Sequence, residues 1–186
     1  MYRNTFLSVM FLACCFNGSL CAQSDAQIYE RTCDAKTYPF SDPSPVATPN
    51  NSYYPYFRFD GFSMQAQEKQ WKMVVLENDY VKLTVTPEIG GKIWGAIDKV
   101  NNKEFVYTNG VVKFRDVAMR GPWTSGGIEF NFGIIGHAPT CSTPIDYLTK
   151  KNVDGSVSCH IFSYEWITRT VWNVEINLPK DKIGRA

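Results

Sequence analysis

The densest group of chemically capable side chains lies between residues 120 and 137. It reads Arg120-Gly121-Pro122-Trp123-Thr124-Ser125-Gly126-Gly127-Ile128-Glu129-Phe130-Asn131-Phe132-Gly133, and a few residues later His137-Ala138-Pro139-Thr140. Arg, Asn and Glu carry planar hydrogen-bonding groups that grip hydroxyls, and an indole face stacks on the C–H face of a sugar. A histidine titrates near neutrality and serves as a general acid or base. Carbohydrates need this mixture: Arg120, Asn131 and Glu129 to grip hydroxyls, Trp123 to stack, and His137 able to move a proton. Along an extended backbone, alternate residues point to opposite sides. Glu129 and Asn131 are therefore expected to share one concave surface with Arg120, Trp123 and His137, while Phe130 and Phe132 turn into the core. A surface loop with a Gly-Gly turn and ordinary capping contacts would have the same composition, and composition alone leans to that plainer reading.

Other candidates are weaker. Lys92, after Gly90-Gly91, could reach a ligand, although a solvated strand-end lysine is the commoner case. His160 sits in an alternating stretch and reads as a packed or solvated strand residue. The carboxylate pairs Asp98/Glu104 and Glu165/Glu175 have no supporting context. The chain has two histidines and no CxxC pair, which argues against a structural zinc site. It also has no nucleophile elbow, and Gly126-Gly127 lacks the spacing of a dinucleotide loop. No metal and no cofactor is expected.

These side chains need a scaffold, and the patterning from Lys72 onward is that of strands. Tyr80–Thr86 alternates Val81, Leu83 and Val85 against Lys82 and Thr84, the period of a half-buried strand. Pro87 ends it. Lys92–Asp98, Glu104–Tyr107, Val111–Phe114, Val157–Tyr164 and Thr168–Leu178 read as further strands, divided by turn signals at Asn78-Asp79, Gly90-Gly91, Asn101-Asn102 and Asn109-Gly110. Ser52–Phe62, rich in Tyr and Phe, is a candidate first strand. No amphipathic helix of useful length is evident. Short strands between turn signals predict an all-β, antiparallel sandwich.

The N-terminus looks like an export signal. Arg3 precedes an apolar run from Phe6 to Phe16, Asn17-Gly18-Ser19 breaks it, and Leu20-Cys21-Ala22 ends in a small residue. The run is too short to span a bilayer, which takes about 20 residues. The domain plan is therefore a signal peptide over 1–22, a Pro/Ser/Asn-rich lead-in over 23–53, and one β-sandwich domain over 54–186. The protein is expected to be periplasmic or extracellular, with lipid anchoring through Cys14, Cys15 or Cys21 the lesser alternative. One of the 19 basic residues, Arg3, lies in the leader, so 18 remain against 18 acidic ones. That balance points away from nucleic acid, and no second long apolar run offers a membrane span. Cys33, Cys141 and Cys159 follow the leader. A two-residue Asp154-Gly155 turn would set Cys159 opposite Lys150, which argues against a Cys141–Cys159 bridge.

The stretch Glu77-Asn78-Asp79-Tyr80-Val81-Lys82-Leu83-Thr84-Val85-Thr86-Pro87-Glu88-Ile89-Gly90-Gly91-Lys92-Ile93-Trp94, followed by Asp98-Lys99-Val100-Asn101-Asn102-Lys103-Glu104, resembles the opening of galactose-mutarotase-like domains. Those begin with a strand, a Pro-Glu-x-Gly-Gly turn and a second strand, then an Asp-Lys-x-x-Asn/Gly-x-Glu run. With the Gly-Gly-Ile-Glu-Phe-Asn-Phe block and His137, the chain resembles more closely an uncharacterised group of exported bacterial proteins. In that group such a domain is often followed by tetratricopeptide repeats. The resemblance runs from about Tyr54 to Leu178. It implies a β-supersandwich that binds sugars in an open cleft, with His137 as general acid and Glu129 as a sugar-binding or catalytic carboxylate. The family's base comes late in its chain, so an incomplete, N-terminal part of the fold is expected here. Three functions follow: an enzyme on sugars (epimerase, mutarotase or glycoside-processing), a non-catalytic carbohydrate-binding module, or an inactive truncated fragment.

Overall fold

The computed structural model of the chain describes residues 24–40, 61–116, 122–132, 137–165 and 168–181. The leader-like residues 1–22, Arg120, and residues 52–60 of the expected first strand lie outside them. The architecture is an all-β sandwich. Among the described residues, ten strands are present: β1 (Gln27–Tyr38), β2 (Gln67–Glu77), β3 (Val81–Thr86), β4 (Lys92–Asp98), β5 (Lys103–Val106), β6 (Val112–Asp116), β7 (Pro122–Thr124), β8 (Asp146–Lys151), β9 (Val157–Glu165) and β10 (Thr170–Leu178). They form a seven-stranded sheet, ordered β5-β4-β3-β2-β1-β6-β7, and a three-stranded sheet, ordered β10-β9-β8. Neighbours are antiparallel except β1 and β6, which pair in parallel through Thr37–Val112 and Tyr38–Lys113.

The alternation of Tyr80–Thr86 becomes β3 (Val81–Thr86), paired with β2 (Gln67–Glu77) and β4 (Lys92–Asp98). Side-chain carbonyl and carboxylate oxygens build the intervening turns. Asn78 Oδ1 accepts from the amides of Tyr80 and Val81, both at 2.8 Å, and closes β2 onto β3. Asp98 Oδ1 accepts from Val100 N at 2.9 Å and turns the chain into β5 (Lys103–Val106). Lys99 Nζ ties that turn back to Glu77 Oε1 at 2.7 Å. The Asp-Lys run thus serves the fold.

Pro-Glu-x-Gly-Gly is likewise structural. Pro87 begins a single 3-10 turn over Pro87–Ile89 and stops β3. β2 continues past that point, and Glu88 Oε2 accepts from its exposed amide, Lys72 N, at 2.6 Å. Gly90 then takes a left-handed φ of 63°, and a Cβ there would stand 2.4 Å from the Cys141 carbonyl. Only glycine lets the two segments meet, with Gly90 N donating to Thr143 O at 2.9 Å.

One expectation is overturned at the N-terminal side. Residues 27–38, assigned to the lead-in over 23–53, form β1 (Gln27–Tyr38), paired with β2 from Gln27–Glu77 to Thr37–Gln67. It lies inside the sheet, between β2 and β6. Most of its side chains are exposed, so it shows no apolar period. Its place comes from backbone hydrogen bonds, which carry no residue-type signature.

The second sheet is β8 (Asp146–Lys151), β9 (Val157–Glu165) and β10 (Thr170–Leu178). Its inward residues Val157, Cys159, Ile161, Trp172, Ile176 and Leu178 pack on Val74, Leu76, Val81, Val85 and Ile93 of the large sheet. Each fully buried aliphatic side chain contributes about 1.5–3 kcal/mol. On the opposite face of the large sheet, Trp71, Met73, Ile89, Trp94, Val112 and Phe114 form a second cluster. The β8–β9 loop covers residues 152–156, with Asn152 N donating to Ser156 O at 2.8 Å, so Cys159 pairs with Thr149 rather than Lys150. Cys33, Cys141 and Cys159 are all free thiols.

Candidate functional site

Residues 122–132 reach the centre of the molecule by attaching to two separate elements. β7 (Pro122–Thr124) pairs with β6 (Val112–Asp116). Gly126 and Gly127 then turn with φ of 81° and 70°, and Ile128 makes an isolated antiparallel bridge with Ile93 of β4. A Cβ on Gly127 would lie 2.4 Å from Ile93 O, so this approach requires glycine. Past the bridge, Phe130 packs against the core between the sheets. Phe132, 39% exposed, stacks on Trp172 with centroids 6.4 Å apart. Glu129 and Asn131 point together to the other side: Asn131 Nδ2 donates to Glu129 Oε1 at 3.0 Å.

His137 completes the group. Its Nδ1 lies 2.7 Å from Glu129 Oε1, and its ring meets Trp123 edge-on, with centroids 6.1 Å apart and planes at 80°. The residue is held in the left-handed region, φ 56°, with its amide donating to Asn131 Oδ1. Cys141 Sγ reaches the same Oδ1 at 3.3 Å. The amide of Asn131 therefore joins Glu129, the His137 backbone and the Cys141 thiol. The structure brings Trp123, Glu129, Asn131 and His137 into mutual contact, and Arg120 lies outside the described residues.

Lys92 is neither a solvated strand-end residue nor turned to an open face. Its side chain is 1% exposed. Nζ donates to Thr124 O at 2.6 Å and Thr124 Oγ1 at 3.0 Å and stands 3.8 Å from Glu129 Oε2. Burial holds its ammonium below the ordinary lysine range, with Glu129 and Cys141 pulling the other way. Burial, with help from Glu129, pushes the Cys141 thiol well up, so it stays protonated and acts as a donor. Glu129 Oε2 is itself buried without a hydrogen-bond partner and faces Lys92 across that 3.8 Å gap.

Sequence reading missed Thr124 and Cys141. Neither carries a signal: a threonine in a three-residue strand and a lone cysteine acquire their roles from Lys92 and Asn131 across the fold. A groove of about 260 Å³ elsewhere is floored by Trp71, Phe114 and Phe40, but Lys69 Nζ lies 3.7 Å over the Trp71 ring, and the carboxylate on its rim, Glu88, is bound to Lys72 N. Among the described residues, His137 lies 2.7 Å from Glu129, and His160, on β9, lies 3.8 Å from Glu175.

Residues 48–184 match the family described as Domain of unknown function (DUF5107). The chain belongs to that family. The matched span contains the whole Glu129–His137 cluster and begins after β1. In structure, this DUF5107 chain is similar to a TPR-domain containing protein from Parabacteroides distasonis known from a crystal structure, with a TM-score of 0.75 and 27% sequence identity. The similarity covers 86% of this chain and 28% of that one, so the present chain spans less than a third of that protein.

Proposed function

We propose that this DUF5107 domain is an exported, galactose-mutarotase-like sandwich that binds carbohydrate at the Glu129–His137–Trp123 cluster. The 2.7 Å contact between Glu129 Oε1 and His137 Nδ1, on a histidine 38% exposed, carries the reading. It couples a proton-moving pair to the surface beside an indole, a combination suited to hydroxyl-rich ligands. Lys92, Asn131 and Glu129 are engaged with one another and with Thr124, His137 and Cys141 instead, which leaves the Trp123 ring and His137 to meet the sugar, with Glu129 behind His137. A non-catalytic module is the second reading. Glu129 and His137 are bonded to each other and act as one unit, whereas opening a pyranose ring needs an acid and a base at separate positions.

Titration of a monosaccharide panel, with anomer exchange followed by NMR, tests both readings. Trp123→Ala is expected to weaken binding by about 0.5–1.5 kcal/mol beyond the lost area. A fall in turnover alone in Glu129→Gln or His137→Ala supports the enzyme, and a fall in binding alone supports the module. If neither quantity changes in any of the three variants, the sugar reading is overturned.

A further inference from the structure

The hydrogen bonds around His137 determine which of its nitrogens carries the proton. A backbone amide is only ever a donor, so the Asn131 atom that receives His137 N–H must be the side-chain oxygen, Oδ1. That orients the amide: Nδ2, the donor end, is the atom 3.0 Å from Glu129 Oε1. Glu129 Oε1 is therefore an acceptor. His137 Nδ1 lies 2.7 Å from this same oxygen, and two acceptors cannot share that contact, so Nδ1 carries a hydrogen. The buried Lys92 ammonium, 3.8 Å from Oε2 and held by Thr124, places a positive charge on the carboxylate's other side.

We infer that His137 presents a bare Nε2 to its ligand, acting as a base toward a hydroxyl donor, and that Asn131 and Lys92 are positioning residues that impose this tautomer. The inference rests on the reading that this face takes a ligand. It departs from the general-acid role that the family resemblance implies for His137: a neutral imidazole with its proton on Nδ1 has none to give at Nε2. No hydrogen-bond partner meets Nε2 among the described residues. In the step this permits, a ligand hydroxyl gives its proton to Nε2, the imidazole becomes a cation, and Glu129 stabilises that cation through the Nδ1–H bond. The ligand oxygen keeps the electron pair of the broken O–H bond.

The tautomer can be read without any ligand, from long-range ¹H–¹⁵N correlations of the His137 ring in the intact chain. The measurement is made on the alkaline side, where the ring ¹⁵N shifts themselves report a neutral imidazole. The Nδ1–H form is expected to outnumber the Nε2–H form by about tenfold, the ratio that about 1.4 kcal/mol gives. Asn131→Asp keeps the acceptor for His137 N–H but loses the donor to Glu129, and Lys92→Met removes the counter-charge; each is expected to reduce the ratio several-fold. Unchanged amide resonances in β9 show that a variant is folded. A predominant Nε2–H form in the unaltered chain overturns the inference, whatever the variants do. So does an unchanged ratio in both folded variants. Because no sugar is present, this result is independent of whether the monosaccharide panel binds.

Discussion

Cys33, Cys141 and Cys159 occupy three different surroundings, and the difference is measurable. Cys33 is half-buried on β1. Cys141 is buried beside Asn131, and Cys159 lies in the core at 0% exposure. Burial pushes the Cys159 thiol up to about 12 and raises Cys141 as well. Because the thiolate is the reactive species, an alkylating reagent near neutral pH is expected to label Cys33 in the native protein, and Cys141 and Cys159 only after denaturation. Peptide mass spectrometry checks this, and rapid native labelling of Cys159 would place the β9 register in error. The sign of the pH effect follows. Folded Cys159 keeps its proton above the ordinary thiol value of 9.0, where the unfolded chain releases it, so stability is expected to fall as pH rises from there toward about 12. At this scale Glu129, Asn131, His137 and Trp123 were legible, because alternation and residue type are local properties. The role of Lys92 was not, since its burial depends on Thr124 and Glu129 closing over it from another segment.

The elements that carry the site are largely strands whose side chains alternate visibly. β3 is the test case. Val81 and Val85 are 1% and 0% exposed, while Leu83 packs on the same core but is only half-buried. Leu83→Ala is therefore expected to cost about 2 kcal/mol, the low end for such a truncation, and Ile161→Ala, at 0% exposure, 2 or more. Chemical denaturation measures both, and equal negligible losses would show that the strand's inward face is misassigned. β4, β9 and β10 were readable for the same reason as β3, a sustained apolar face. β1 was not, because it is held by main-chain pairing along the length of β2 and, at Thr37 and Tyr38, to β6, and puts mostly polar side chains outside. Gly127 could be seen as half of a turn, but its close approach to Ile93 O exists only once β4 and the loop are docked.

For the molecule as a whole, the two sheets close over one core, and the candidate site lies where the loop after β7 crosses from the large sheet toward β10. No helix among the described residues is long and apolar enough to cross a membrane. The leader pattern of residues 1–22 leads us to propose export, with cleavage after Ala22. Mass spectrometry of periplasmic or secreted material is expected to find an N-terminus at or near Gln23; a mature pool that retains Met1 would refute this. Such cleavage would leave β1 intact, since it begins at Gln27.

By itself, the sequence determined the β class, most strand positions, the turns at Asn78-Asp79 and Asn101-Asn102, and the grouping of polar and aromatic side chains between residues 120 and 137. Each of these follows from interactions within a few residues: alternation, proline's fixed φ, or a side chain bonding its own backbone. Tertiary structure alone decided that β1 enters the sheet, that Lys92 is buried against Glu129, and that the Asn131 amide points its oxygen at His137 N–H and its nitrogen at Glu129. Those outcomes depend on groups far apart in sequence being enclosed together, where a charge or a donor must find its partner because water no longer supplies one.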